Sequence, residues 1–184
     1  MAMPSNKRTL LLSIGVAVVV IVIFGMIQLL PKSYMVTLEG VKYQLGADNA
    51  ASLNPVAIHM DGTLKRSLTG KKTFKGTIDV EGEILPVPED QRELEISFRR
   101  DQAGIITYGY YENGQPRLYA YGVLYVNNDL SKVAIAIFDK DDEGSGGWTG
   151  EDGWMITAPA VDRTSALTAA NELMKDYLGG NLLK

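Results

Sequence analysis

The sequence predicts a mainly β domain with one C-terminal helix. The strands form an antiparallel meander, strongly bent or closed into a small barrel, carried on an N-terminal transmembrane helix. Three observations carry this expectation. An uncharged apolar run lies near the N-terminus, period-two hydrophobic alternation fills the middle of the chain, and a helical period closes it. The chain has 184 residues, enough for a single folded domain.

Residues 10–30 are 21 positions without a charge. At about 1.5 Å per residue a helix of that length spans the hydrocarbon core of a bilayer. Ser13, Gly15, Gly25 and Gln28 are its least apolar members, and Pro31 ends it. A cleaved secretory signal is the competing reading, with Lys7 and Arg8 as its charged start. The run is longer than a signal core, and Gly25 to Pro31 offers no small-residue cleavage site. The sequence therefore divides into a cytoplasmic tail (residues 1–9), a membrane anchor (10–30) and an extracytoplasmic domain (31–184). Lys7 and Arg8 set the orientation by the positive-inside rule, with the N-terminus in the cytoplasm. The external part keeps 16 of the 18 basic residues and all 22 acidic ones. The expected location is the cell membrane, with lipid as the partner of residues 10–30.

Residues 73–84 alternate. Phe74, Gly76, Ile78, Val80, Gly82 and Ile84 share one face, and Lys75, Thr77, Asp79, Glu81 and Glu83 the other. That pattern predicts a strand with one buried and one wet face, broken by Pro86 and Pro88. Leu94, Ile96 and Phe98 repeat it. Asn113-Gly114 between two β-rich runs predicts a two-residue hairpin. Its register pairs Glu112 with Gln115, Tyr110 with Arg117, Tyr108 with Tyr119 and Ile106 with Tyr121. Asp61-Gly62 reads as a second turn, joining residues 56–60 to 64–68. Further strands are expected at 133–138 and 154–158, and one or two within 34–45. Residues 46–54 and 140–151 read as the longest loops.

Ala166, Leu167, Ala170, Leu173, Met174, Tyr177 and Leu178 line one side of a helix over about 163–178. Asp162 is the expected N-cap and Gly179-Gly180 the stop. Seven to nine strands followed by a helix is similar to the order of elements in lipocalin-like barrels, although the lipocalin signature residues are absent. Lys72-Thr73-Phe74-Lys75-Gly76 and residues 148–160, with Glu151-Asp152-Gly153 and Ala158-Pro159-Ala160, carry a second likeness. They resemble single-pass anchored surface proteins of spore-forming Gram-positive bacteria, a group that brings no activity with it.

Composition removes several chemistries. There is no cysteine, so disulfides and thiolate chemistry are excluded, and the single histidine excludes a multi-histidine metal site. A net charge of -4 speaks against a dedicated nucleic-acid binder. No cofactor is expected. His59 falls on the polar side of its strand, and Gly144-Ser145-Gly146, preceded by Glu143, lacks the first glycine of a nucleophile elbow.

Three clusters remain as candidates. Tyr108, Tyr110, Tyr119, Tyr121 and Tyr125 share one face in the expected register, with Arg117 beside them. They read either as core or as the lining of a ligand site. Lys65, Arg66, Lys71, Lys72 and Lys75 read as solvated surface or as a contact for an anionic lipid or polymer. Asp139, Asp141 and Glu143 open like a calcium loop, with Glu151 and Asp152 following. The twelfth position is Gly150, so the spacing departs from that motif. The function expected is non-enzymatic binding or scaffolding of an envelope protein or polymer. The alternatives are a carrier of a small apolar ligand in a barrel cavity and an envelope hydrolase. Glu151 and Asp152 are adjacent, so on extended chain they point apart, and no carboxylate pair is selected.

Overall fold

The computed structural model describes residues 14–16, 19–20, 30–140 and 146–184. Of the anchor segment, residues 14–16 and 19–20 are described and helical, and the rest of it lies outside the described residues. Among the described residues no helix is long and apolar enough to cross a membrane.

Eight antiparallel strands form one sheet: β1 (Lys32–Gln44), β2 (Leu53–Arg66), β3 (Lys72–Val80), β4 (Leu94–Ser97), β5 (Ala103–Glu112), β6 (Gln115–Val126), β7 (Val133–Ile137) and β10 (Trp154–Ala158). The lateral order is β4-β3-β2-β1-β10-β7-β6-β5. Read around the circle this is a meander, because β1 pairs with β10 and the two edges, β4 and β5, follow each other in sequence. The sheet is a nearly closed barrel with its seam at β4 and β5. Gly104 sits on that seam, where a Cβ would lie 2.2 Å from Cγ2 of Ile96. A two-stranded ladder of β8 (Asp139–Lys140) and β9 (Gly146–Gly147) stands apart.

Alternation explains the interior. Ile58, Met60, Phe74, Ile78, Ile96, Ile106, Leu124, Ile135 and Ile156 point inward and are at most 2% exposed. At about 25 cal/mol per Å² of apolar surface, this is the main stabilising contribution. One end of the barrel is stoppered by the loop between β6 and β7. Leu130, at φ 61°, is fully buried there, and its carbonyl accepts from the Tyr34 hydroxyl.

A second core lies outside the barrel. Helix α1 (Arg163–Leu173), continued by α2 (Lys175–Leu178), lies across β1, β10 and β7. Its Ala166, Ala170 and Met174 share a cluster with Ala134, Ala136, Met155, Val41 and Tyr43. Small residues on both sides let the helix backbone come close to the sheet. Asp162 caps the helix by accepting from the Ser165 amide at 2.8 Å, and Gly179 ends it at φ 59°.

The structure corrects three expectations. Asp61-Gly62 is not a turn: β2 runs through it, and Gly62 pairs directly with Gly76 of β3. A Cβ on Gly62 would lie 2.3 Å from the Lys75 carbonyl oxygen, so glycine here serves close strand approach. Strand β3 stops at Val80 rather than 84, because the chain turns through Gly82 at φ 81° and the Glu83 amide donates to the Val80 carbonyl. In the β5–β6 hairpin the register holds from Glu112–Gln115 to Thr107–Ala120 and then slips. Ile106 pairs with Gly122, not Tyr121. Tyr121 is the extra residue of a β-bulge, which reverses the facing of everything after it. Leu124 therefore points inward and Tyr125 outward. At the tip of that hairpin Leu118 is 81% exposed.

Candidate functional site

The bulge divides the tyrosines. Tyr108 and Tyr121 are inside the barrel, 1% and 4% exposed, and their hydroxyls are used. Tyr108 donates to the Ile78 carbonyl at 3.0 Å and Tyr121 to Oε2 of Glu83 at 3.2 Å. Burial, joined by the Asp79 charge at Tyr108 and the Glu83 charge at Tyr121, pushes both phenols well above the usual tyrosine range. Tyr110 and Tyr119 pack at the edge of that core. Tyr119 stacks on Tyr108 at 6.4 Å between centroids, and burial again raises its pKa. Arg117 is exposed and pairs with Glu112 at 3.4 Å. The set is not one ligand-lining face.

Tyr125, on the outer wall, belongs to a different site. A cleft of about 370 Å³ runs beside the helix over the outside of β5, β6 and β7. Ala103, Ile105, Val123 and Ala136 form its apolar floor, and Phe138, Trp148, Tyr125 and Tyr177 supply aromatic walls. Tyr177 lies 5.8 Å from Tyr125 and 6.2 Å from Trp148 between centroids, so three rings make one continuous wall. Gly153 leaves the indole its place: a Cβ there would lie 2.5 Å from Nε1 of Trp148. The indole N–H is buried without a hydrogen-bond partner among the described residues. Arg99 stands at one end, held by Asp101 at 2.8 Å. Burial and then the neighbouring Tyr177 push the Tyr125 phenol up to about 12.

The sequence signals for this cleft were weak, since its lining comes from β4 through β7, the segment after β9 and the helix end. Only Tyr125 belonged to the tyrosine set, and Tyr177 read as part of the helix stripe. No protein-family model, curated protein or solved structure matches the chain. Its geometry alone carries the functional reading.

The cationic candidates separate as well. Lys65, Arg66 and Lys71 are exposed, whereas Lys75 pairs with Glu93 at 3.4 Å. Lys72 is not surface at all. It is 3% exposed, lies 6.0 Å from the Phe98 ring centroid and donates to the carbonyls of Asn127 and Asn128 at 3.3 and 3.4 Å. Its inward-facing place on β3 puts it at the barrel end, and desolvation, then the Arg66 charge, lowers its pKa.

Of the acidic set, Asp141 and Glu143 lie outside the described residues. Asp139 lies in the β8–β9 ladder. Glu151 and Asp152 are exposed in a turn organised by Thr149, whose hydroxyl donates to Oδ1 of Asp152 at 2.9 Å. Among the described residues no three metal-ligating side chains are grouped. His59 is exposed and lies 2.9 Å from the Thr37 hydroxyl. It borders a groove with Asp79, Glu81, Glu83 and Glu89. Asp79 is tied to Arg92 at 3.3 Å, and Glu83 to Lys42 at 2.5 Å.

Proposed function

We propose that this chain is a non-enzymatic binding domain of the cell envelope, held outside the membrane by residues 10–30. The outer-wall cleft is its ligand site. The observation that carries this reading is the wall of Tyr125, Tyr177 and Trp148 left open beside a barrel whose interior is filled. About 370 Å³ falls within the usual range of small-molecule sites, and an apolar floor with a few polar groups suits a ligand with a flat apolar face. The same lining supports a second reading, a carrier of a small apolar ligand. The ligand then lies on the barrel wall rather than in its centre.

Full-length protein purified from its native membrane tests the proposal by native mass spectrometry. The wild type is expected to retain a small molecule that Trp148→Ala and Tyr125→Ala lose while remaining folded. Equal retention by both variants would remove the cleft as the site.

A further inference from the structure

The strand register places several loops at one end of the barrel. Lys32 opens β1 and pairs with Leu64, so residues 65–71 of the β2–β3 hairpin project past the point where the chain arrives from the anchor segment. The tip carries Leu68, 89% exposed, between exposed Lys65, Arg66 and Lys71. The β4–β5 turn, with Arg99 and Arg100, reaches the same end, because the Phe98 amide donates to the Lys72 carbonyl. Between the two turns lies a cleft of about 640 Å³ lined by Thr69, Lys71, Lys72, Arg99, Arg100 and Gln102, among others.

Among the described residues no carboxylate lines this cleft. Asp101 holds Arg99, but Lys71, Lys72 and Arg100 make no ion pair among the described residues. Lys72 is a buried ammonium whose only hydrogen bonds there go to two carbonyls at long range. Asp129 on the β6–β7 loop attracts Lys72 without forming an ion pair with it, and desolvation outweighs that attraction, so an anion in the cleft offsets the cost that remains. The domain as a whole is acidic, with 22 carboxylates against 16 basic residues beyond the anchor, so a basic cleft at this end is a local concentration.

We propose that this end of the barrel docks on the membrane surface, with an anionic phospholipid headgroup in the basic cleft and Leu68 in the headgroup layer. The proposal rests on residues 10–30 being the anchor. A tether at this end holds the hairpin tip against the bilayer, where basic residues are attracted to an anionic surface. A lone exposed leucine flanked by lysines then has both an apolar layer and headgroup phosphates to meet.

The chain has no cysteine, so Thr69→Cys carries a single environment-sensitive fluorophore. Full-length labelled protein is reconstituted into vesicles of phosphatidylcholine alone or of phosphatidylcholine with equal phosphatidylglycerol. Flotation reads the anchor, and emission reads the hairpin. The expected result is flotation with both, and a blue shift at least twofold larger in the anionic vesicles. Lys71→Glu with Arg100→Glu abolishes that difference while flotation persists. Protein that floats but emits alike in both vesicles overturns the docking alone. The same blue shift from inorganic phosphate added to neutral vesicles overturns the lipid as ligand. Protein that floats with neither overturns the anchor and the docking together.

Discussion

On β7 and β10, Ile135 and Ile156 point into a barrel filled by Phe74, Ile96, Leu124 and other large side chains. On the outside of β7, Ala134 and Ala136 share a core with Ala166 and Ala170 of the helix. The inner face is closed by side-chain volume, the outer face by bringing the helix backbone close. The consequence differs at the edges. The barrel interior is lined by large buried side chains, whereas the outer core ends where the helix ends, and the cleft of Tyr125, Trp148 and Tyr177 begins there.

The comparison breaks most sharply with a charge in each core. Ile135→Asp buries an unpaired carboxylate at the barrel centre and is expected to cost more than about 4 kcal/mol, read as loss of the cooperative thermal transition. Leu173→Asp lies at the half-buried rim of the outer core and is expected to cost about 1–3 kcal/mol in a denaturant titration. Similar losses at the two sites would erase the distinction. Ala134→Phe tests close approach. Overpacking there is expected to cost about 1–3 kcal/mol, mainly by displacing the helix, so near-ultraviolet dichroism should change while the strand signal remains.

Alkaline titration sharpens the inner–outer contrast more gently. Buried tyrosines with raised pKa values keep their protons in the folded state after the unfolded chain has lost them near pH 10. The unfolded state then binds fewer protons, so stability is full below pH 10 and falls as pH rises through the folded values. Tyr125 reaches its own at about 12. The inner Tyr108→Phe and Tyr121→Phe are expected to flatten that fall more than Tyr125→Phe, measured as melting temperature from pH 9 to 12. His59→Ala is the smallest change. On an exposed strand position it should shift stability by less than about 0.5 kcal/mol.

Much of the barrel was legible because period two is a local signal. Phe74 to Val80, Leu94 to Phe98 and the Asn113-Gly114 turn each announce their own geometry, and Asp162 announces the helix start. The bulge at Tyr121 was not legible. Leu118, Ala120, Gly122 and Leu124 are as compatible with burial as the tyrosines opposite them, so a one-residue slip leaves no break in the pattern. Asp61-Gly62 misled for a related reason: the same glycine serves a turn or a close strand approach, and only its partner Gly76 decides. The cleft was least legible, since its walls come from segments far apart in sequence and its floor residues read as ordinary strand.

The central claim is that the open apolar surface lies on the barrel wall and not within it. Ile105 and Ile106 are neighbours on β5, 54% and 0% exposed, on opposite faces of one strand. Single-cysteine variants at these two positions, in the full-length chain, can be followed by their rates of reaction with a small uncharged thiol reagent. Ile105→Cys is expected to react at least a hundredfold faster than Ile106→Cys, and Ile106→Cys to react only as the protein unfolds. Comparable rates in the folded protein would place an accessible cavity inside the barrel and contradict the claim.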